Sequence, residues 1–569
     1  MYHILAPGIS ALLVGTAIVS TYINYVVPEP YLDEAFHIPQ AQAYCRNAFK
    51  TWDPKLTTPA GLYITTYPLS YVAECTPALL RSVNAWGIAV LIPILVYNIL
   101  GYIHPRKQRS EAVHEAINVA LFPLLWFFSG LFYTDVYSTV WVLWSYLAWL
   151  RGCVGYSSVT AWWALWFRQT NVLWTGFFIV LEVGRRIKSV HEKLVDGEGK
   201  AVTGKTVAAS SRKTTGKKKK GKKRRGRVEM EEKKVGEVPE ASLEAEVEDG
   251  PWTIDIKSNG NVKGRGVKND GYWRKLLEVM RKVEPWNPVF NEEVTAQDFF
   301  FRTPITHLLS IIPNTPAVIF PTFPYLLVII SFAAFIIWND FSIVLGDKSA
   351  HQPTLHLPQI FYFTLFTTMA SLPLLLSPNL LYHFYDQNIG IYITTPPSSS
   401  RARKTPKLTI PHTKLLRTIT LLTIILAIIW RNTYFHPYLL ADNRHYVFYI
   451  FRRTLLAHPL IRYLAAPVYF ASTWTVLHTL RTSRSVNVLW VYAWAMAVAG
   501  TLVTAGLVEF RYFVLGWVIW RVNIHVECAW RRWAETVGFV FVNLATVYVF
   551  TQWGFEWKQE RGVVQRFMW

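Results

Sequence analysis

Apolar segments long enough to cross a lipid bilayer recur along the whole chain, and this feature constrains the fold more than any other. They extend from residues 4–26 near one end to residues 534–552 near the other. A helix needs roughly 20 apolar residues to cross a hydrocarbon core of about 30 Å. Because 52% of the 569 residues are also hydrophobic, the sequence predicts an all-α polytopic membrane protein and not a soluble domain.

The hydropathy pattern predicts about 12 to 14 transmembrane helices in two modules. Residues 1–183 form the first module, which includes a polar and aromatic loop at 27–77, and residues 304–569 form the second. Between them, residues 184–303 contain the basic run KKKKGKKRRGR and a following acidic stretch. This composition is too charged to bury a core, so we predict a largely disordered cytosolic loop.

Short basic loops indicate the orientation of the first module. The sequences HPRKQR at 104–109 and RRIK at 185–188 stay on the cytosolic side under the positive-inside rule. The loop at 27–77 is then predicted to face the lumen. Because residues 159–183 are expected to leave and re-enter the cytosol, we predict two short helices there, with residues 167–171 at the tip between them.

Charge and cysteine content exclude other classes of protein. The net charge of +21 resides in one polar stretch and at helix ends, and not on a folded face interleaved with aromatic residues, so no nucleic-acid partner is predicted. The four cysteines have no metal-ligand spacing. Cys45 and Cys75 flank the loop at 27–77 and can pair there, although their spacing alone does not decide this.

The strongest chemical motif follows the first apolar run, where PYLDEAFHIPQAQAYC occupies residues 30–45. If this segment is helical, Asp33 and His37 are spaced i, i+4 and share a face, whereas Glu34 points about a quarter turn away. An isolated acidic pair of this kind is more often a solvated turn at the membrane surface. The sequence that surrounds it favours a catalytic role.

Five patches, spread over nearly the whole chain, resemble one enzyme family. The first combines residues 30–45 with WDPKLTTPAGLY at 52–63; the others are FRQTNVLW at 167–174, GDKSAH at 346–351 with LHLPQ at 355–359, HPYLLADNRHY at 436–446, and QRFMW at 565–569. In this order they closely resemble the dolichyl-phosphate-glucose alpha-1,2-glucosyltransferases of the endoplasmic reticulum. One departure is visible at EFRY, residues 509–512, where the family pattern leads us to expect proline at position 510.

The resemblance implies a fold and an activity. It implies a GT-C membrane glycosyltransferase that adds the third and last glucose to the lipid-linked oligosaccharide used for protein N-glycosylation. Its co-substrates would be dolichyl phosphate glucose and the dolichyl-diphosphate-linked oligosaccharide acceptor. We therefore expect a multi-pass protein of the endoplasmic reticulum membrane whose active site faces the lumen, with the lipid bilayer as its surroundings and no obligate protein partner.

Transfer of a sugar from a lipid phosphate with inversion needs one carboxylate base and cationic groups beside the leaving phosphate. Asp33 is our first choice for the catalytic base and Glu34 the second, with fixing the acceptor or holding His37 as its other possible tasks. A phosphodiester is a good leaving group with a single charge, so we expect no metal cofactor.

Further site residues are predicted from polar side chains next to or within apolar segments. For the leaving phosphate we favour Arg444 and His445, then Arg168, with Lys348 after them. The full predicted donor site consists of His37, Arg168, Gln169, Asn171, Lys348, Asp442, Asn443, Arg444 and His445. For stacking on acceptor sugars we predict Trp52, Tyr63 and Tyr67, although interfacial belts also use such aromatic residues.

Two other functions compete with this interpretation. A transporter also has broken helices and buried charges, but it is expected to show inverted repeats and charges at the bilayer midplane, whereas the strongest motif here lies in a loop. A dolichyl-phosphate-mannose mannosyltransferase of the same superfamily would also carry an acidic first loop. Only the family-specific patches favour glucose.

Overall fold

The computed structural model describes residues 4–211, 270–348, 353–394 and 407–569, which are predominantly helical. The helices before the charged segment are α1 (Ala6–Val26), α2 (Glu34–Cys45), α3 (Gly61–Thr66), α4 (Pro77–Trp86), α5 (Ile92–Ile103), α6 (Arg109–Ala120), α7 (Pro123–Ser129), α8 (Asp135–Leu150), α9 (Val154–Leu165) and α10 (Val172–Ser211). A π-helical turn at Gly87–Leu91 joins α4 to α5, so these two helices run on as one. The all-α class predicted from the sequence is confirmed.

The second part of the chain adds further helices and two small sheets. The helices are α11 (Asp270–Arg281), α12 (Thr303–Ile311), α13 (Thr315–Trp338), α14 (Gln359–Ala370), α15 (Leu372–Leu375), α16 (Pro378–Asn388), α17 (His412–Asn432), α18 (Pro437–Ala441), α19 (Tyr446–Ile450), α20 (Ile461–Leu464), α21 (Ala466–Ser483), α22 (Val488–Val503), α23 (Val514–Asn523) and α24 (Ala529–Gln552). Strands β1 (Tyr392–Thr394) and β2 (Lys407–Thr409) pair antiparallel, as do β3 (Gly554–Trp557) and β4 (Glu560–Arg566). In the second hairpin, Phe555 lies opposite Gln565.

Several helices have the length and apolar composition of a membrane span. Within the described ranges, the five continuous ones are Ala6–Val26, Pro77–Ile103, Asp298–Trp338, His412–Asn432 and Ala529–Gln552. A sixth arises if α6 and α7, which bend by 65° at their junction, count as one broken span. Other apolar helices, such as α8 and α22, have only 16 residues each. The predicted total of about 12 to 14 therefore stays a prediction, because it depends on how these shorter helices cross the bilayer.

The chain divides into two compact units, and their boundaries differ from the predicted ones. Met1–Val190 together with Val283–Trp569 forms the larger unit, and His191–Lys282 forms the smaller. The sequence predicts a charged loop at 184–303, but residues 184–190 and 283–303 at its two ends belong to the larger unit. Phe290 is buried there, and its backbone N–H donates to the Val486 carbonyl at 2.8 Å. The basic and acidic runs that motivated the loop prediction lie outside the described residues.

The predicted break within residues 159–183 is confirmed, but only the first of the two helices is short, because α10 has 40 residues. Helix α9 ends at Leu165, and α10 begins at Val172. Asn171 holds the turn between them, because its side-chain amide donates to the Ala164 carbonyl at 2.8 Å and to Ser138 Oγ at 2.9 Å. Such hydrogen bonds satisfy polar groups that would otherwise be buried without partners.

The loop after α1 packs directly on this turn. The backbone N–H of Gly61 donates to the Trp166 carbonyl at 2.8 Å, and a Cβ on Gly61 would come within 2.5 Å of the same oxygen. Only glycine allows so close an approach of two backbones. Gln169 adds a second contact, because its side-chain amide donates to the Thr57 carbonyl at 2.7 Å.

Candidate active site

A cavity of about 810 Å³ opens beside the end of α1. Five segments line it: the loop from α1 into α2, the end of α7 with the turn that follows, the turn between α18 and α19, the segment before α23, and the tail that begins with β4. Their ionisable members are Glu29, Asp33, Asp442, Arg444, His445, Glu509, Arg511, Glu560 and Arg566. A concave site with convergent charged groups is the arrangement expected of an active site.

Asp33 projects into this cavity from the N-terminus of α2. Its backbone N–H donates to the Tyr133 hydroxyl at 3.3 Å, and its carbonyl accepts the N–H of His37 at 3.0 Å. The preceding residue, Leu32, has a left-handed φ of 55°, an uncommon conformation that costs energy for a branched side chain. The strained turn directs Asp33 toward the cavity, and 44% of its side chain is exposed.

Arg511 holds the Asp33 carboxylate in its charged form. Its Nη1 donates to Asp33 Oδ2 at 2.8 Å, and its Nε donates to Glu509. Burial opposes ionisation of Asp33, but the Arg511 guanidinium outweighs it and lowers the pKa of the carboxyl to about 2. His37 contributes little charge near neutral pH, because burial lowers the pKa of its imidazole to about 4.

His37 lies beneath Asp33 on the same face of α2, as its i, i+4 spacing predicted. The imidazole is 7% exposed, and its Nδ1 shares a hydrogen bond of 2.6 Å with the Tyr63 hydroxyl. It does not line the cavity, so its proximity to Asp33 fits a supporting role better than the donor contact that we predicted.

The side chain of Glu34 is buried in the protein and does not line the cavity. Its side chain is fully buried and pairs with Arg81 through two hydrogen bonds of 2.6 and 2.8 Å. The same carboxylate accepts the backbone N–H groups of Tyr31 at 3.1 Å and Phe132 at 2.6 Å. Glu34 itself does not line the cavity, and these partners occupy its carboxylate, so the geometry favours Asp33 over Glu34 as the base.

Helix α2 is attached at both ends, at one end to α4 and at the other to the segment that precedes α4. Glu34 binds Arg81 of α4 at one end, and Cys45 forms a disulfide with Cys75 at the other, across 30 positions of sequence. The pairing that the sequence left open is thus present. Two attachments on opposite ends restrict rotation of α2 and so fix the direction of Asp33.

Asp442, Arg444 and His445 line the cavity from the turn between α18 and α19, and Asn443 lies beside them in sequence. Arg444 donates to the Asp442 carboxylate at 2.9 and 2.8 Å, which keeps both groups charged. Its guanidinium also lies 4.7 Å from the centre of the Trp557 ring. Asn443 accepts the Trp557 indole N–H at 2.8 Å but is absent from the cavity wall. The C-terminal hairpin therefore positions the predicted phosphate-binding arginine.

The remaining predicted donor residues do not reach the cavity. Arg168 pairs with Asp135 at 2.8 Å, and its guanidinium lies 5.5 Å from the centre of the Tyr512 ring. Lys348 pairs with Asp340 at 3.2 Å near the surface. Gln169 and Asn171 make the backbone contacts described above. None of these four residues lines the cavity.

The three aromatic residues predicted for the acceptor also lie away from the cavity. Tyr63 is fully buried, so it has no face available for a sugar. Trp52 packs edge-on against Tyr63, with ring centres 6.1 Å apart. Tyr67 is on the surface, where its hydroxyl contacts Asn47 at 2.7 Å and Tyr71 at 2.8 Å. The geometry therefore does not favour a stacking role for Tyr63, whose hydroxyl instead shares a hydrogen bond with His37.

Comparison with known proteins identifies the family of this chain. The model of the DIE2/ALG10 family matches residues 27–522, a range that contains Asp33, Asp442, Arg444, Glu509 and Arg511. This chain belongs to the DIE2/ALG10 family.

Full-length relatives are found in plants, fungi and animals. A protein of Arabidopsis thaliana is 30% identical, with 97% of each chain covered; one of Emericella nidulans is 29% identical, with 96% of this chain and 95% of the relative covered; one of Rattus norvegicus is 28% identical, with 100% and 99% covered. All three are named Dol-P-Glc:Glc(2)Man(9)GlcNAc(2)-PP-Dol alpha-1,2-glucosyltransferase. No solved structure matches the chain.

Within the region matched by the DIE2/ALG10 family model, sequence reasoning missed Glu509 and Arg511. Both belong to the EFRY segment, which we had noted only for its departure at position 510. Phe510 does not disturb the site, because its ring stacks on Phe366 with centres 5.2 Å apart and contacts Trp569 at 6.2 Å. The sequence signal that could have identified them is the Glu-x-Arg spacing of Glu509 and Arg511, because it places both side chains beside one turn.

Among the described residues, no group of three or more His, Cys, Asp or Glu side chains is arranged to hold a metal ion. The basic side chains that line the cavity are Arg444, His445, Arg511 and Arg566. They are the groups available to meet a phosphate.

Proposed function

We propose that the chain transfers glucose from dolichyl phosphate glucose to the diglucosylated lipid-linked oligosaccharide, with inversion, and so forms its terminal alpha-1,2-linked glucose. The observation that carries this proposal is the half-exposed Asp33 carboxylate in a cavity that also contains Arg444, His445 and Arg511. The names of the full-length relatives support the same reaction.

The chemistry requires few groups. Asp33 accepts the proton of the acceptor hydroxyl while the hydroxyl oxygen bonds to the anomeric carbon. The bond from that carbon to the donor phosphate breaks on the opposite face, and its electron pair leaves with dolichyl phosphate. Cationic side chains stabilise this negative charge as it develops. One proton moves to Asp33, and no oxidant or second acid takes part.

We further propose that the reaction needs no metal. A dolichyl phosphodiester carries a single negative charge, and after cleavage the lipid monophosphate can be met by guanidinium groups, which bind phosphate oxygens through paired N–H donors. Arg444 supplies such a group at the cavity wall. Addition of a chelator such as EDTA should therefore leave turnover unchanged, and a loss restored by one divalent metal would contradict this part.

We place the protein in the endoplasmic reticulum membrane with the cavity open to the lumen. The basic loops at 104–109 and 185–188 favour the cytosol by the positive-inside rule, and the cavity lies at the other end of α1 from the start of the chain. Both lipid-linked substrates would then reach Asp33 from the bilayer and the lumen.

A substrate panel tests the proposal against its closest alternative. Purified protein is incubated with dolichyl phosphate glucose or dolichyl phosphate mannose, and with acceptors that carry one, two or three terminal glucoses. Product formed only from the glucose donor and the diglucosylated acceptor is expected. Mannose transfer, or equal use of all acceptors, would reject the assignment.

A further inference from the structure

An ion cluster at the floor of the cavity joins three side chains. Arg511 lies between two carboxylates, with Nη1 on Asp33 at 2.8 Å and Nε on Glu509. Its second terminal nitrogen makes no hydrogen bond within the part of the chain that the structure describes, and its side chain is 20% exposed toward the cavity. Two negative charges thus share one cation whose remaining donor is available.

Other arginines at the cavity have different partners. Arg444 is held by Asp442 through two hydrogen bonds. Arg566 donates to the backbone carbonyls of Phe550 at 3.0 Å and Thr551 at 2.9 Å. Arg511 therefore differs from both, because it is the cavity arginine whose partner is the proposed catalytic base.

The ion pair between Arg511 and Asp33 suits the free enzyme better than the enzyme during the reaction. A general base works best when its pKa lies near the operating pH, whereas contact with Arg511 keeps the pKa of Asp33 at about 2, against the opposing effect of burial. A carboxylate held so firmly accepts a proton weakly. Departure of Arg511 would raise the pKa of Asp33 and make it a stronger base.

The other groups that face Asp33 cannot substitute for Arg511. The ionisable ones are His37, Tyr133, His445, Glu509 and Tyr512. Burial keeps the imidazole of His37 neutral by lowering its pKa, and it keeps both tyrosines neutral by raising theirs. Glu509 remains negative, because Arg511 lowers its pKa despite burial. Of the nearby permanent charges, Arg511 is the one in direct contact with Asp33.

We propose that Arg511 is a catalytic residue that changes partners in each turnover, binding Asp33 in the free enzyme and the phosphate of the lipid-linked sugar donor in the complex. This inference rests on the proposed function. A guanidinium matches two phosphate oxygens in its plane, and Glu509 keeps the side chain in place through Nε. As the bond to the phosphate breaks, its electron pair moves to an oxygen beside Arg511, and the acceptor proton moves to the released Asp33.

Arg511→Ala should produce two linked changes. Loss of a donor to the developing phosphate charge should lower kcat by about 10²-fold and raise the donor KM. In the same variant, Asp33 is no longer held as a carboxylate, so its pKa rises toward or above the ordinary value of about 3.9. The base must be deprotonated to act, so kcat/KM should fall as the pH drops below about 5, whereas the wild-type value should stay flat there.

Arg444→Ala is the matched control. It also removes a cavity arginine, but its carboxylate partner is Asp442. We expect a raised donor KM without a change in the acidic limb of the pH profile. Arg511→Lys tests the fold independently: it keeps the charge, so the acidic limb should stay near that of the wild type, while the loss of the paired N–H donors raises the donor KM. Guanidinium ion added to Arg511→Ala should restore part of the turnover.

The experiment measures kcat, donor KM and the pH profile of kcat/KM for the wild type and these variants, with melting temperature as the test of folding. A raised donor KM without a moved acidic limb in Arg511→Ala would make Arg511 a simple phosphate contact. A moved limb with an unchanged donor KM would make it only a positioning residue for Asp33. Either result overturns partner exchange while the wild type still transfers glucose; a wild type without glucose transfer would reject the proposed function itself.

Discussion

Asp33 and Glu34 are neighbours in sequence, but their carboxylates have opposite surroundings. Asp33 is half-exposed and lines the cavity, whereas Glu34 is fully buried against Arg81. A base must meet the proton that it removes. A buried carboxylate bound by an arginine and two backbone N–H groups instead organises the polypeptide around it.

Substitution of each carboxylate by its amide should therefore give different defects. Asp33→Asn keeps the size of the side chain but removes the base, so turnover at saturating donor should fall by about 10²- to 10⁴-fold while the melting temperature changes little. Glu34→Gln leaves the Arg81 charge buried without its partner, which costs about 3–5 kcal/mol in comparable pairs. It should lower the melting temperature clearly. An Asp33→Asn variant with more than about a third of wild-type turnover would contradict the assignment of the base.

The sequence could predict Asp33 but not its ion pair. The acidic motif was visible because its residues are adjacent, and the i, i+4 relation to His37 follows from helix geometry. Arg511 lies 478 positions away from Asp33, and no local pattern records a contact between such distant residues. The role of Tyr63 was missed for a related reason, since composition cannot distinguish an aromatic residue at the surface from one that is fully buried.

At the scale of elements, the hairpin of β3 and β4 holds the Arg444 side of the cavity. The backbone of Met568 donates to the Arg444 carbonyl at 2.9 Å, and the Tyr31 hydroxyl donates to the Arg566 carbonyl at 2.7 Å. Thus the tail contacts both the turn after α18 and the loop after α1. The sequence did not predict these strands, because β4 is exposed along most of its length and lacks a buried alternating pattern.

Trp557→Ala tests the hairpin's effect on Arg444. The substitution removes the aromatic face 4.7 Å from the guanidinium and the hydrogen bond to Asn443. A cation–π contact of about 0.5–2 kcal/mol corresponds to a rise of about 2- to 30-fold in the donor KM. Trp553→Ala is the control, because that residue is 58% exposed just before the hairpin. Equal donor KM values for the two variants would show that Trp557 does not position Arg444.

Helix ends were predicted well where a polar cluster interrupts an apolar run, as at the turn between α9 and α10. They were predicted poorly where apolar segments are bent, because hydropathy averages over a break. The junction of α6 and α7 bends by 65° within one apolar stretch, and Pro123 begins the second helix. Proline lacks the N–H that would continue the helix.

At the scale of the whole molecule, residues 212–269 differ from the rest of the chain in their highly charged composition. We predict that deletion of residues 212–269, joined by a short Gly-Ser linker, leaves turnover within about threefold of wild type, because so charged a composition cannot form a core that supports the site. Deletion of residues 284–297 is the contrasting control, since Phe290 and Asn287 in that range bond to the backbone next to α22. A more than tenfold loss of turnover in the first deletion, with normal membrane insertion, would contradict the prediction.

The orientation of the whole chain can be tested with single substitutions, because the sequence contains no Asn-x-Ser/Thr acceptor site of its own. Phe49→Asn creates Asn-Lys-Thr in the loop between α2 and α3, at a side chain that is 50% exposed. Gln108→Asn creates Asn-Arg-Ser at the exposed N-terminus of α6. Acceptor sites are glycosylated only in the lumen of the endoplasmic reticulum, so in eukaryotic cells we expect a glycosidase-sensitive shift in gel mobility for Phe49→Asn and none for Gln108→Asn. The reverse pattern would place Asp33 in the cytosol and exclude a lumenal reaction.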